Sequence, residues 1–430
     1  MCPRMIRAAK TPSAVFLLIF CLLGTEGRAQ KPAPPTEETT VHVGITSGDI
    51  RGNDHRALQA AVDYAAKMGG GTVLIGPGSY QMRNALVLRD NVRVIGVPGK
   101  TSLVACDGIK VPLTADGDCN ERQITLADAS GFQVGDGVAI HDEHYRSGFE
   151  VTTATLIARV DDRTFRISSP LYLDYLVSRK AVACLAFPLV SGSNIKNAVV
   201  EGLTIEGNGS RAEYLDGCRG GGIYLFDCEN VTIRNCTVRH YKGDGISFQT
   251  SQHVTVMDCL CEENSGLGLH PGSGSQHPVV RYNRSIHNGG DGLFVCWRVQ
   301  HGLFEKNEVR DNQGAGVSIG HKDSDNVFRG NEISGNVKAG VLFREESQAM
   351  GAHRNVFENN RIVDNGLKEG GLGILIRGHH DDLVFRKNTI GTSQPSSTAV
   401  GIRCEKKTKG LETNENEFIN LKVPVDRAGK

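Results

Sequence analysis

The chain has 430 residues, and its 48 Lys and Arg balance 48 Asp and Glu, so the formal net charge is zero. Without residues 1–29 the chain loses four basic residues and one acidic residue, which leaves a net charge of −3. This balance gives no electrostatic case for binding nucleic acid or an anionic membrane surface, and we expect neither as a partner.

Residues 1–29 are typical of a signal peptide. A basic start precedes a mostly apolar run from Ala14 to Leu23, and Gly27 to Ala29 fits a cleavage site. The run is shorter than the roughly 20 residues that a membrane span needs, so we expect no span in the mature protein. These features predict a secreted or periplasmic protein.

The mature chain is predicted to begin with a flexible linker, a capping helix and the first coils of a repeat. Residues 30–43 form the linker, because its start is rich in Pro and Thr. Asn53 and Asp54 are candidate N-caps for a helix over residues 56–68. The apolar stripe of this helix suits the core that a stack exposes at its end, and we assign residues 44–105 to the cap and first coils.

Residues 106–175 interrupt the regular pattern of the chain. Three segments that look like strands, Gln123 to Leu126, Gly135 to His141 and Arg163 to Ile167, predict an inserted β-rich segment beside the main fold. Cys106 and Cys119 flank a loop here, and an oxidising compartment would allow them to pair.

From residue 176 to residue 424 the chain is repetitive. A Gly–apolar pair returns at steps of 23, 23, 24, 24 and 24 residues, followed by steps of 33 and 28. A fixed period in this range marks stacked repeats, and the short β-type runs in each repeat favour three strands a coil over a pair of helices. The glycines of these pairs are Gly222, Gly245, Gly268, Gly292, Gly316, Gly340, Gly373 and Gly401.

Asparagines recur in register with these glycines. Stacked at the same corner of successive coils, they would form amide ladders. We therefore predict an all-β fold, a right-handed parallel β-helix with coils about 4.8 Å apart, an N-terminal capping helix and the inserted segment. The asparagines at 24-residue steps are Asn264, Asn288, Asn312 and Asn336, and, in a second set, Asn283, Asn307 and Asn331.

The N-terminal part of the mature chain carries a family resemblance. Asp54, the run from Ala57 to Asp63, the segment from Gly69 to Val73 and the turn from Pro77 to Tyr80 resemble the opening of the pectate-lyase-like, right-handed β-helix superfamily. The later repeats resemble the carbohydrate-acting right-handed β-helix region of that superfamily. The resemblance covers nearly the whole mature chain, and its motifs are specific for the fold rather than for one activity.

One face of the predicted stack is a candidate glycan groove. Residues that alternate with the core positions of the first strand are expected to face outward. Stacking then gathers basic and aromatic side chains on one face over consecutive coils; the alternative is a solvated face with scattered basic residues. The candidate catalytic residues are His270, His321, Lys322 and Arg344, and the candidate substrate-binding residues are Trp297, Arg298, Arg377 and Gln249.

Asp244 and Asp291 form a second candidate catalytic pair. Each lies in a Gly-Asp-Gly turn, and the stacking of two coils would separate them by about 9–10 Å. That separation is at the upper edge of the range for an inverting glycosidase. The alternative is structural, because Asp-Gly favours tight turns by itself.

These residues predict an exported protein that acts on a polysaccharide or oligosaccharide. We expect β-elimination of a uronate-type glycan, with Arg or Lys neutralising the carboxylate and a His as the base. The alternatives are an inverting hydrolase that uses Asp244 and Asp291, and a non-catalytic glycan-binding or structural module.

Two departures from the superfamily's motifs bear on the activity. The resemblance to polygalacturonases implies Gly-His-Gly and Arg-Ile-Lys motifs, whereas this chain has Gly320-His321-Lys322 and no Arg-Ile-Lys. The pectate lyases of the superfamily bind calcium through clustered acids, and the outward columns contain no such cluster. We expect no metal and no cofactor.

Overall fold

The computed structural model describes residues 39–145, 148–366, 368, 370–406 and 408–427. The predicted signal peptide and most of the predicted linker lie outside these residues. The end of the linker is not flexible as expected, because Thr40–Gly44 is a strand that pairs in parallel with Gly71–Ile75. Val41 and Val43 are buried in the core and explain why this segment is ordered.

The described chain winds into a right-handed parallel β-helix, as predicted. Each regular coil adds one strand to each of three parallel sheets. In stacking order, sheet 1 contains Ile50–Arg51, Thr40–Gly44, Gly71–Ile75, Val92–Ile95, Val199–Glu201, Thr232–Arg234, Thr255–Met257, Val279–Arg281, Leu303–Glu305, Val327–Arg329, Val356–Glu358, Val384–Arg386 and Glu412–Asn414. Sheet 2 contains Gly78–Met82, Thr101–Ala105, Thr204–Glu206, Thr237–Arg239, Leu260–Glu262, Arg284–Ile286, Glu308–Arg310, Glu332–Ser334, Arg361–Val363, Thr389–Gly391 and Glu417–Ile419.

Sheet 3 carries the predicted groove. It contains Leu86–Val87, Val190–Ser193, Ile223–Phe226, Ile246–Gln249, Leu269–Pro271, Leu293–Phe294, Val317–Ile319, Val341–Phe343, Leu372–Ile376, Val400–Cys404 and Val423–Arg427. The strands pair without register slips along the Gly–apolar repeat, so that Ser247 lies beside His270 and Phe294 lies beside Ser318. Equivalent positions of successive coils therefore form columns on the face of the sheet.

The core is filled by side chains that stack from coil to coil. Phe304, Phe328, Phe357 and Phe385 follow one another with ring centroids 4.6, 4.3 and 5.3 Å apart. All four are buried, and the predicted inward positions of sheet 3, such as Ile246 and Phe248, are buried as well. The alternation of a strand thus separates core from surface in every coil.

Asparagine ladders lie at two corners of the stack, in the register that the sequence predicts. In the first ladder the Asn288 backbone N–H and Nδ2 both donate to Asn312 Oδ1, at 3.0 and 2.9 Å. Asn312 repeats both bonds to Asn336, at 3.1 and 2.9 Å. Asn283, Asn307 and Asn331 form the second ladder in the same way. These bonds satisfy buried polar groups at corners where the sheets do not.

The capping helix, α1, spans His55–Lys67 and closes the N-terminal end of the stack. Asp54 is its N-cap and accepts hydrogen bonds from the N–H groups of Arg56 and Ala57. Leu58 and Val62 of the predicted stripe are completely buried. No helix of the described residues is both long and apolar enough to cross a membrane.

The insertion forms a six-stranded antiparallel sheet beside the stack. Its order is Lys110–Pro112, Val182–Leu185, Gly137–His141, Thr152–Arg159, Thr164–Ile167 and Gln123–Thr125. The sheet runs to Leu185, beyond the predicted boundary at 175, because Val182–Leu185 pairs with two of its strands. Short 3-10 helices lie at Gly148–Glu150, Val177–Arg179, Gly209–Arg211 and Gln348–Met350. Cys106 and Cys119 are free thiols, so the pairing considered for them is not formed.

Replacing Leu58 with Asp tests the capping role of α1. The substitution would place an unpaired carboxylate in a fully buried site, and we expect a loss of at least about 3 kcal/mol in the free energy of unfolding. Tyr64→Asp on the exposed side of the same helix is the matched control. Thermal or denaturant unfolding of both variants measures the difference, and equal curves would contradict a capping role.

Replacing Asn312 with Ala tests the ladder. The change leaves the backbone N–H of Asn288 without its acceptor, while Asn288 Nδ2 keeps Cys261 O and Ser285 Oγ. One unsatisfied buried donor costs about 1–3 kcal/mol. We expect a lower unfolding midpoint for this variant, whereas Gln313→Ala at the exposed neighbouring position should behave like the wild type. A ladder that contributes nothing would show the same midpoint for both.

Candidate functional site

The outer face of sheet 3 is covered over part of its length. Residues 214–218, which we call the covering segment, lie across the strands of two coils. The Gly217 carbonyl accepts hydrogen bonds from Ser247 Oγ at 2.6 Å and from Gln249 Nε2 at 3.2 Å. Gln249, predicted to bind substrate, is therefore completely buried, and its exposure on an open face was wrongly expected.

Asp244 and His270 meet beneath the covering segment. Asp244 Oδ2 lies 2.8 Å from His270 Nδ1, and both side chains are almost completely buried. Asp244 Oδ1 accepts the Leu267 N–H at 2.9 Å, which fixes the carboxylate. A Cβ on Gly217 would lie 1.7 Å from Asp244 Oδ2, so only glycine fits above the pair. The two residues were predicted for two different reactions, and the structure joins them.

The pair determines the charge of His270. Burial opposes the positive charge, but hydrogen bonds to Asp244 and Cys296 outweigh it and raise the pKa of His270 to about 10. At neutral pH the imidazole is therefore a cation that donates protons. This charge state does not suit the role of base that the sequence predicts for His270.

Arg344 is held on the same face, two coils further along sheet 3 from Phe294. Its guanidinium lies 4.5 Å from the centre of the Phe294 ring, and the His270 ring lies 5.2 Å from the same centre. The two cations are therefore at most about 10 Å apart, and both lie against the same aromatic ring. Arg344 is fixed by Ser318 Oγ at 3.0 Å and by Asp323 at 3.1 Å. Burial raises the pKa of Asp323 to about 7, although Arg344 opposes the shift.

Trp297 and His321 form an exposed stacked platform at the corner after sheet 3. Their ring centroids are 4.4 Å apart with an interplanar angle of 22°. His321 Nδ1 lies 3.5 Å from Glu346, and Trp297 is 42% exposed. The neighbouring side chains of Arg298 and Lys322 are also exposed, and no carboxylate of the described chain forms an ion pair with either. Four of the predicted residues are thus brought together.

Two predicted residues have structural partners instead. Asp291 Oδ1 accepts the Ala315 N–H at 2.6 Å, as Asp244 Oδ1 accepts the Leu267 N–H two coils earlier. Burial is the main cause that raises the pKa of Asp291. Arg377 lies between two carboxylates, with Glu405 at 3.1 Å and Glu345 at 3.9 Å.

The covering segment and its tyrosine, Tyr214, were not predicted from the sequence. Tyr214 is 47% exposed at the edge of the site, and burial, followed by the charges of Asp216 and Asp244, raises its pKa. The sequence indicates this segment through the length of one turn. Residues 207–222 join sheet 2 to sheet 3 in this coil, whereas residues 240–245 make the same connection one coil later. A turn that is ten residues longer has the length to fold back over the sheet.

Comparison with known proteins agrees with the fold. Residues 189–350 match the family described as "Right handed beta helix region". The A-module of the Azotobacter vinelandii mannuronan C-5 epimerase AlgE6 has a TM-score of 0.56 at 16% identity, covering 90% of this chain and all of that one. A structure titled "Glycoside hydrolase" has a TM-score of 0.54 at 10% identity, covering 88% of this chain and 96% of that one.

A curated relative matches over a short stretch. Alginate lyase 7 of Azotobacter vinelandii is 37% identical over 75 residues, which is 16% of this chain and 9% of that protein. The likeness to the solved structures shows the fold alone. The right-handed β-helix fold that the resemblance implies is thereby confirmed.

The pH dependence of stability tests the buried pair. The folded pKa of His270, about 10, exceeds its ordinary value of 6.5, so the pair stabilises the fold fully below pH 6.5. This contribution should decrease as the pH rises from 6.5 to about 10. In Asp244→Asn the folded pKa of His270 should fall and the slope should largely disappear. Denaturant unfolding at several pH values measures it, and identical slopes in wild type and variant would contradict the pairing.

Proposed function

We propose that the chain is a polysaccharide-active β-helix protein that cleaves a uronate-type glycan by β-elimination at the outer face of sheet 3. The observation that carries the proposal is the pair of fixed cations, His270 and Arg344, that both lie against the Phe294 ring. A uronate carboxylate suits such a site, because both groups carry a positive charge. The ring nitrogens of His270 are already bonded to Asp244 and Cys296, so His270 acts through its charge, whereas Arg344 also offers its remaining N–H groups. The names of the similar proteins, an alginate lyase and a mannuronan epimerase, belong to uronate chemistry too.

The cations act on the charge that develops during the reaction. When a base removes the proton at C5, negative charge moves onto the sugar carboxylate, and the C4–O bond then breaks to leave a C4–C5 double bond. His270 and Arg344 stabilise that charge without rearrangement, because Asp244 and Asp323 hold them in place. The leaving oxygen takes a proton from an acid, for which the phenol of Tyr214 is the candidate.

We assign the role of the base to His321 and not to His270. His270 is charged at neutral pH, whereas His321 lies half-buried beneath Trp297 on the exposed platform. Trp297 offers a flat aromatic surface to a pyranose ring, and Arg298 and Lys322 offer cations to neighbouring carboxylates of an acidic polymer. The predicted binding and catalytic residues are thus divided between a charged centre and a binding platform.

Export is part of the same proposal. A polymer substrate is met outside the cytoplasm, and residues 1–29 have the pattern of a secretory signal. A periplasmic or secreted location follows from that pattern.

Activity on a panel of acidic and neutral polysaccharides tests the reaction. A lyase produces an unsaturated sugar that absorbs in the near ultraviolet, and a hydrolase releases reducing ends without that absorbance. We expect absorbance with an acidic glycan, and a loss of about 100- to 1,000-fold in rate for Arg344→Ala or His270→Ala. His321→Ala should lose turnover and keep binding, and Trp297→Ala should weaken binding first. His253→Ala, an exposed histidine at another corner, is the matched control.

Asp291→Asn separates the hydrolase from the lyase. Asp244 supports His270 in a lyase and would be catalytic in a hydrolase, so its loss does not distinguish the two. Asp291 has a structural bond to Ala315 and no role in the elimination. Reducing ends without absorbance, abolished in Asp291→Asn, would establish the hydrolase. Tight glycan binding without either product would establish the non-catalytic module.

A further inference from the structure

A second cleft lies on the other side of the covering segment. Its volume is about 410 Å³, and it is bounded by the inserted sheet and by the first strands of sheet 3. Its lining includes Ser191 and Tyr224, which precede the strand of Ser247 in sheet 3, whereas Phe294 and Arg344 follow that strand. The covering segment, which bonds to Tyr224 and Ser247, therefore separates this cleft from the site proposed above.

The charge in this cleft is unbalanced. Arg219 is the one charged side chain among the described residues that line it. The guanidinium lies 4.6 Å from the centre of the Tyr172 ring, and one amino group donates to the Phe149 carbonyl at 3.2 Å. Its Nε–H is buried without a hydrogen-bond partner, and no carboxylate of the described chain forms an ion pair with it.

Several arginines on the strands of the stack are paired with a carboxylate. Arg234 binds Glu201 at 2.7 Å, and Arg239 binds Glu206 at 2.9 Å. A partly buried cation without a counter-ion is unfavourable, because burial removes water and nothing replaces it. Arg219 has no such partner among the described residues, and it lies in a concave site, where an anionic ligand would supply the missing charge.

The rest of the lining fits a sugar. Thr155, Ser168, Ser191 and Asn194 place hydroxyl and amide groups around the cleft, and Tyr172 is an exposed aromatic ring at its side. Hydroxyl and amide groups recognise sugar hydroxyls, and an aromatic ring packs on the C–H face of a pyranose. The volume is within the range of small-ligand sites.

We propose that this cleft is a separate binding site for an acidic sugar residue, with Arg219 as the partner of its carboxylate. The planar fork of the guanidinium matches a carboxylate with two parallel hydrogen bonds. Among the described residues, no carboxylate or histidine lines the cleft to move a proton, so the site binds and does no chemistry. The proposal does not depend on the reaction proposed above, because the cleft has its own cation.

Equilibrium binding tests the site. The whole protein is titrated in a calorimeter with glucuronate, mannuronate and galacturonate, and with their trisaccharides, and we expect a binding event. Arg219→Gln should weaken this binding at least about tenfold, which is the loss expected for a charge-assisted hydrogen bond. Arg344→Gln, at the other site, should keep this event. Arg211→Gln, an exposed arginine nearby in the chain, is the matched control.

Further ligands and variants define the outcome. Glucose should bind much more weakly than glucuronate, and inorganic sulfate should not replace a uronate at equal concentration. Arg219→Lys keeps the charge but not the planar guanidinium, and Tyr172→Ala removes the aromatic ring. Each variant should weaken uronate binding several-fold. These two variants still test the site if Arg219→Gln does not fold. The proposal would be overturned if all three variants bound uronate as the wild type does, or if the wild type did not bind uronate. It would also be overturned if glucose or sulfate bound as well as uronate.

Discussion

The in-register stacking of coils is the constraint on which the rest of this structure depends. Strands of neighbouring coils lie one hydrogen-bonded spacing apart, about 4.8 Å, and the Asn288–Asn312–Asn336 ladder fixes the same register at a corner that the sheets leave open. A shift of one residue in any coil would turn core side chains outward. Because the register is kept, Ser247, His270 and Phe294 form one column, and a site can be built from residues far apart in sequence.

The charges of the site depend on this stack and on what covers it. The covering segment buries Asp244 and His270. This burial opposes the charge of the imidazole, but the hydrogen bond to Asp244 and the charge of its carboxylate outweigh it and keep His270 charged. Arg344 is fixed in the same way by Asp323. Within the described chain, cations without an ion pair lie on the platform around Trp297 and in the cleft of Arg219. Fixed cations suit the stabilisation of developing charge, and unpaired cations suit the binding of acidic sugars.

The sequence predicts the regular part of the molecule well, because each coil repeats the same local pattern. The glycine and asparagine steps predict three sheets, the inward columns and both ladders, and Asp54 predicts the start of α1. The site was predicted only as columns. Its key features, the burial of Gln249 and the meeting of Asp244 with His270, are caused by a long turn that folds back over the sheet. Such a contact joins residues far apart in sequence, so the periodicity of the repeat does not predict it. The unusual length of the turn is the signal in the sequence that indicates it.

The charge of the His270 imidazole at neutral pH is the most direct test of this account. Nuclear magnetic resonance of the protein with isotope-labelled histidine reports the protonation of both ring nitrogens, and comparison with His270→Gln assigns the signal among the 14 histidines. We expect both ring nitrogens of His270 to be protonated at pH 7, and the imidazole to lose a proton only as the pH approaches about 10. A neutral His270 at pH 7 would contradict the fixed cation on which the proposed site rests.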